Sequence, residues 1–314
     1  MLGKSRRSAS VRALEEAVRR SPQVRALVAP AGVRGRPGTS RGVYHYWQGR
    51  HWILAALADL GYPAGDPELG PMRDRALDLW LRPLYARSFE ATSRAAVPGR
   101  VGVPVIRGRA RRCASQQGNA LLYSVELGFL DGRTDELARL LERWQWPDGG
   151  WNCDRDPAAD TSSFHETLHP MLGLHRYAEA TGDRAARRAA ERAREVFLSR
   201  SLFRRRSDGK VMQARFLQLH YPRYWHYDLL GGLVAMVRMG AIADPRCRPA
   251  LDWLEAQELP SGGWPLLARY FRYSPSMVPY GDSYDWGRPR PRVANPWVTA
   301  DALWVLSAAG RVAA

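Results

Sequence analysis

The 314-residue chain is short of several things, and each shortage excludes something. No stretch approaches the roughly 18 uninterrupted apolar residues that a membrane-crossing helix requires. The N-terminus carries arginine without a following apolar segment, so no secretory signal is read there. The three cysteines, Cys113, Cys153 and Cys247, are too few and too scattered for a disulfide framework, and a reduced cytoplasmic protein is the expectation. Lysine is nearly missing: Lys4 and Lys210 are the only two among 47 basic residues, and isoleucine is confined to Ile53, Ile106 and Ile242. That pattern follows a GC-rich coding bias, so the arginine excess alone does not argue for nucleic acid.

What is present is charge in two places and an excess of tryptophan. The formal charge is +16. Residues 1–41 hold ten basic and two acidic residues, and residues 86–112 hold seven arginines against Glu90. These two segments are predicted to be solvated surface, or else to attract an anionic substrate or a membrane surface. Nucleic acid is not expected, because no helix-turn-helix, zinc-finger or aromatic RNA-binding pattern accompanies them. The apolar share of 45% is too high for a disordered chain. Twelve tryptophans are roughly threefold above ordinary usage, which points to a repeated packing role or an aromatic-lined cavity.

A repeat accounts for part of that excess. Leu141-Glu-Arg-Trp-Gln-Trp-Pro-Asp-Gly-Gly-Trp151 and Leu254-Glu-Ala-Gln-Glu-Leu-Pro-Ser-Gly-Gly-Trp264 coincide at Leu, Glu, Pro, both Gly and Trp. Each follows an amphipathic stretch, 134–146 and 247–257, and the Pro-x-Gly-Gly string reads as a helix stop with a tight turn. Ser207-Asp-Gly-Lys210 is a degenerate third copy after the Ala-rich stretch 183–199. More apolar helices are predicted at 163–180, 224–239 and 296–309, and in the earlier segments 44–60 and 114–127. Their polar and aromatic residues cluster where each begins. Amphipathic outer helices alternating with buried inner ones about five times predict an all-α fold, an α/α toroid over 43–314. A basic N-terminal arm, 1–42, precedes it. Within the arm a helix bearing Val11, Leu14 and Val18 is predicted, capped by Ser10, and 29–42 is predicted irregular. Long connections are expected at 86–112 and 266–295.

The Pro-x-Gly-Gly-Trp turn between outer and inner helices resembles the repeat of the squalene–hopene cyclase and protein prenyltransferase β-subunit superfamily. Trp144, Gln145, Asp148, Gly149, Gly150 and Trp151 carry the resemblance best, followed by Gln257, Gly262, Gly263 and Trp264. Trp151-Asn-Cys153, Ser162-Ser-Phe-His165 and Trp225-His-Tyr-Asp228 are similar to strings in bacterial squalene-cyclase-like proteins. The resemblance covers about 43–311. It implies an α/α toroid with an aromatic cavity for a hydrophobic, isoprenoid-type substrate, and acid-initiated cyclisation or isomerisation as the reaction. The chain departs from it in lacking both Asp-x-Asp-Asp and Asp-Asp-x-x-Asp, and in reading Asn152-Cys153-Asp154 where prenyltransferases carry Asp-x-Cys.

On this reading Asp228 is the candidate acid, with His226, His165 and His169 as its relay. Tyr46, Trp47, Gln116, Tyr224, Trp225, Trp297 and Asp301 are candidate substrate contacts. His165 and His169 share a helix face, which suits a metal pair or a base with its orienting partner; the plainer role is capping a buried helix. Pro170 is expected to turn His169 out of an ordinary helical conformation. No cofactor is expected. The alternative is a zinc enzyme acting on a peptide or thiol, with Cys153, His165, His226 and Asp228 as ligands. A third reading is a non-catalytic toroid that binds a lipid or peptide. Cys113 and Cys247 are read as isolated and structural.

Overall fold

Inner and outer helices are told apart by which residues they bury. The computed structural model describes residues 9–28, 40–83, 87, 90–93, 95–96, 105–276 and 278–312. Among them are twelve α-helices, and the fold is mainly helical. Beyond the N-terminal arm, three helices are strongly amphipathic: α7 (Gly132–Trp144), α9 (Arg184–Leu198) and α11 (Arg248–Glu255). Each buries a single stripe, such as Leu137, Leu141 and Trp144 in α7. The helices α6 (Ala114–Glu126), α8 (Phe164–Thr181) and α10 (Leu229–Arg238) are instead buried over most of their surface.

The inner elements follow one another in space as in sequence. Helix α4 (Arg50–Asp59) packs on α6, α6 on α8, α8 on α10, and α10 on α12 (Pro296–Ala308). Each also packs on its outer companion: α4 on α5 (Gly70–Trp80), α6 on α7, α8 on α9, and α10 on α11. From the last inner helix back to the first, the contact passes through one side chain. Arg223 Nη1 donates to Asp301 Oδ2 of α12 at 2.7 Å, and its Nη2 lies 3.8 Å from Asp59 Oδ2 of α4. No helix among the described residues is long and apolar enough to cross a membrane.

The two Trp turns hold outer to inner helices through the same bonds. Trp151 Nε1 donates to Leu141 O at 3.1 Å, and Trp264 Nε1 to Leu254 O at 2.7 Å. The Trp151 amide donates to Thr167 Oγ1 of α8, and the Trp264 amide to Thr299 Oγ1 of α12. Gln145 extends the first turn sideways, its Nε2 donating to Gly149 O and to Ala189 O of α9.

Several helix boundaries differ from expectation. Residues 44–60 are not one helix: α3 (Ser40–Tyr44) ends, a turn follows, and α4 starts at Arg50. Gly49 permits the turn, because a Cβ there would sit 2.4 Å from Val43 O. The 224–239 helix starts only at Leu229, with Asp228 as its N-cap, so Tyr224–Tyr227 lie in the approach. Helix α8 runs unbroken through Pro170, correcting the expected displacement of His169. Gly118 of α6 makes room there: a Cβ on it would come 2.2 Å from Pro170 N.

In the basic arm, Ser10 lies within α1 (Ala9–Arg20) and does not cap it; Val11 is buried but Leu14 is exposed. A second helix, α2 (Pro22–Val28), packs on α4 and buries Val24 and Leu27. Most of the expected irregular stretch 29–42 lies outside the described residues. The 266–295 connection is non-helical, as expected, and is pinned by a parallel pair, β1 (Arg272–Tyr273) with β2 (Gly281–Asp282).

Candidate functional site

The beginnings of the inner helices and the loops before them converge on one aromatic region. The 45–48 turn meets the 266–294 loop: the Trp47 amide donates to Gly281 O, Trp47 Nε1 to Tyr270 O, and Gln48 Nε2 to Ser274 O. Trp47 is buried and stacks on Tyr224 at 4.5 Å, nearly coplanar. Tyr224 in turn donates its hydroxyl to Asp282 Oδ2 at 2.5 Å. Trp297 stacks on Tyr221 at 5.3 Å. These rings pack on one another and do not enclose a large cavity. The pocket between α4, α6, α8 and α10 holds about 50 Å³ of free space, where a single water needs roughly 10–15 Å³. Its wall is polar as well as apolar, and includes Asp59, Asn119, His169, Arg223 and Arg238.

Charges cross that pocket in an alternating network. Arg238 Nη2 bonds Asp59 at 3.0 Å, while Arg223 joins Asp59 to Asp301. Burial pushes the Asp59 carboxyl up, but Arg223 and Arg238 outweigh it and leave Asp59 below the usual range. In Asp301 burial wins and the carboxyl is raised. His169, a candidate relay residue, stands in this network, and burial holds it down to about 4. Asp301, expected at a substrate, is engaged by Arg223.

Asp228 is committed to the backbone. It is fully buried, with Oδ1 accepting from the Gly231 amide at 2.7 Å and Oδ2 from the His220 amide at 2.9 Å. Oδ1 therefore fixes the start of α10, and Oδ2 is held by His220, whose ring Nδ1 also lies 3.2 Å away. The two other candidate histidines flank Trp225. His165 Nδ1 accepts the Tyr227 amide at 2.9 Å, which leaves the ring proton on Nε2. His226 is sandwiched between Trp225, at 4.0 Å, and Tyr270, at 3.8 Å. Burial, with His220 nearby, lowers His165 to about 4 and His226 to about 2, so both are neutral. Trp225 buries its Nε1 without a hydrogen bond.

On the other flank of the α8 start, Gln116 Nε2 donates to Tyr44 Oη at 2.8 Å, and the Tyr44 and Tyr46 hydroxyls lie 3.2 Å apart. Tyr46 stacks on Tyr280 of the long loop. The proposed zinc set does not assemble: Cys153 lies with Cys113 and Glu166, away from His165, His226 and Asp228. Cys113 is thus not isolated, correcting the sequence reading. It is the residue before α6, and Glu166 lies in the first turn of α8. Both positions lie where inner helices begin, the places at which the sequence clusters its polar residues.

Arg111 explains how the Cys153 loop holds its shape. It is buried, and its guanidinium donates to the carbonyls of Asp154, Asp156 and Ala159 at 2.9, 2.8 and 2.5 Å. It also lies over the Trp146 ring. One arginine of the basic 86–112 segment is therefore an internal organiser and contributes nothing to a surface charge. Comparison with protein-family models gives no match, and comparison with curated proteins gives no relative.

Proposed function

We propose that the chain is an α/α-toroid enzyme that isomerises an apolar, unsaturated, oxygen-bearing substrate of isoprenoid type. The observation that carries this reading is the Tyr227 amide on His165 Nδ1. It fixes a neutral imidazole with its proton on Nε2, the nitrogen that would donate to a substrate oxygen as negative charge develops there. His226, on the other face of Trp225, moves the proton from one substrate carbon to another. The developing charge on the substrate raises its basicity at that moment. The Trp225, Tyr270 and Tyr46 faces supply the apolar contact. Cyclisation by protonating an unactivated alkene is the less favoured of the two expected reactions, because it needs a strong acid and Asp228 is committed to capping α10.

The test is incorporation of solvent deuterium into a panel of isoprenoid alcohols, aldehydes and ketones, followed by mass spectrometry. The expected result is exchange that falls at least about 100-fold in His165→Ala. Unchanged exchange in that variant, or no exchange with any member of the panel, overturns the reading.

A further inference from the structure

Three groups able to bind a metal converge beside the start of α8 from three separately anchored pieces of chain. The Sγ atoms of Cys113 and Cys153 and a carboxylate oxygen of Glu166 all lie within 4.8 Å of one another. Cys113 is fixed as the residue leading into α6. Glu166 is fixed on α8, and the two helices are locked together where Gly118 meets Pro170. Cys153 is held by the loop that Arg111 gathers. The arrangement therefore exists before any ligand arrives.

The carboxylate lacks a charge partner. Glu166 is buried; its Oε2 accepts the Ser115 amide at 3.0 Å, its Oε1 lies 3.4 Å from the Cys153 thiol, and the Ser115 hydroxyl and Cys113 thiol also bond it. Among the described residues no arginine or histidine forms an ion pair with it. Three potential anions thus face one another, Glu166 buried and both cysteines part-buried, an arrangement that is costly unless they are protonated or share a cation. Metal ligation deprotonates a thiol, so a shared cation would let all three groups serve as ligands at once.

We propose that Cys113, Cys153 and Glu166 bind one zinc ion, with the fourth position taken by water. Two thiolates select a borderline-soft ion over magnesium or calcium, and zinc accepts sulfur and carboxylate oxygen in a tetrahedron. Three protein ligands and one exchangeable position make the site open. The ion sits one residue from His165 on α8, on the side of Tyr44 and Tyr46, and its binding is measured without reference to the isomerase reading.

The test uses the full chain, purified under reducing conditions and titrated with zinc against a chromophoric chelator, and separately with cobalt. The expected results are one zinc per chain, a thiolate-to-cobalt charge-transfer band, and affinity at least about 10-fold weaker in Cys113→Ser, Cys153→Ser and Glu166→Gln. Cys247→Ser, buried elsewhere against Ala241 O, leaves affinity unchanged. The cobalt spectrum of the unaltered chain decides the matter should a variant fail to fold. Substoichiometric zinc with no charge-transfer band, or a Cys113–Cys153 disulfide that persists under reductant, overturns the proposal. His165→Ala keeps full zinc affinity, so failure of the isomerase reading is separately visible.

Discussion

The two Trp turns are built alike, yet the loops that leave them are organised around opposite charges. After Trp151 the chain takes a short path to α8, gathered on the buried guanidinium of Arg111. After Trp264 it takes a long path to α12, gathered on the buried carboxylate of Asp282. That carboxylate accepts from the Tyr224 hydroxyl, Trp286 Nε1 and the Tyr284 amide. A guanidinium collects carbonyls, and a carboxylate collects N–H and O–H groups. The turn is thus a fixed joint, and the loop after it is free to vary so long as something satisfies its buried backbone.

Removing the joints tests whether they are equivalent. Trp151→Ala and Trp264→Ala are each expected to cost about 3–5 kcal/mol, from lost burial and a Leu carbonyl left without its donor. Chemical denaturation measures both. A cost below about 1 kcal/mol in one of them would show that only the other copy holds outer helix to inner.

The loop anchors differ in their response to pH. Burial raises Asp282 from 3.8 to about 6, so the folded chain holds that proton more tightly than the unfolded chain does. Its contribution to stability is therefore largest below pH 4 and declines as pH rises towards 6, by about 3 kcal/mol. Thermal melts between pH 4 and 7 should show this decline in the parent chain and lose it in Asp282→Asn. Equal slopes in the two would remove Asp282 as the titrating anchor.

The smallest effect separates the turns at one glycine. Gly149 and Gly262 both have positive φ, but a Cβ on Gly149 would sit 2.5 Å from Arg192 O, whereas Gly262 faces open space. Gly262→Ala is expected to cost about 1 kcal/mol of backbone strain, and Gly149→Ala about 1–2 kcal/mol more. Equal losses on denaturation would mean that α9 gives way without penalty.

The turns were legible because their logic is local: Pro, two Gly and Trp over a few consecutive residues specify a stop, a turn and a plug. The inner helices were legible for the same reason, through unbroken apolar runs. What escaped were contacts that only packing creates. Glu166 reads as an ordinary first-turn acid until α6 brings Cys113 against it. Arg223 sits in an aromatic string and gives no hint that Asp59 and Asp301, from opposite ends of the chain, both reach it. Asp228 has the sequence context of a cavity acid, but α10 begins five residues later than expected, and its oxygens go to the Gly231 and His220 amides and the His220 ring.

The alternating network of Asp59, Arg223, Asp301 and Arg238 has an evolutionary consequence. Arg223 changed alone leaves Asp301 without its partner, and Asp59 changed alone leaves Arg238 without its own. The four can therefore drift only in concert, through compensating double or triple exchanges, while the apolar residues around them are free to interchange one at a time. In a lineage of such chains, the centre would change in rare jumps and the layers around it by steady wear.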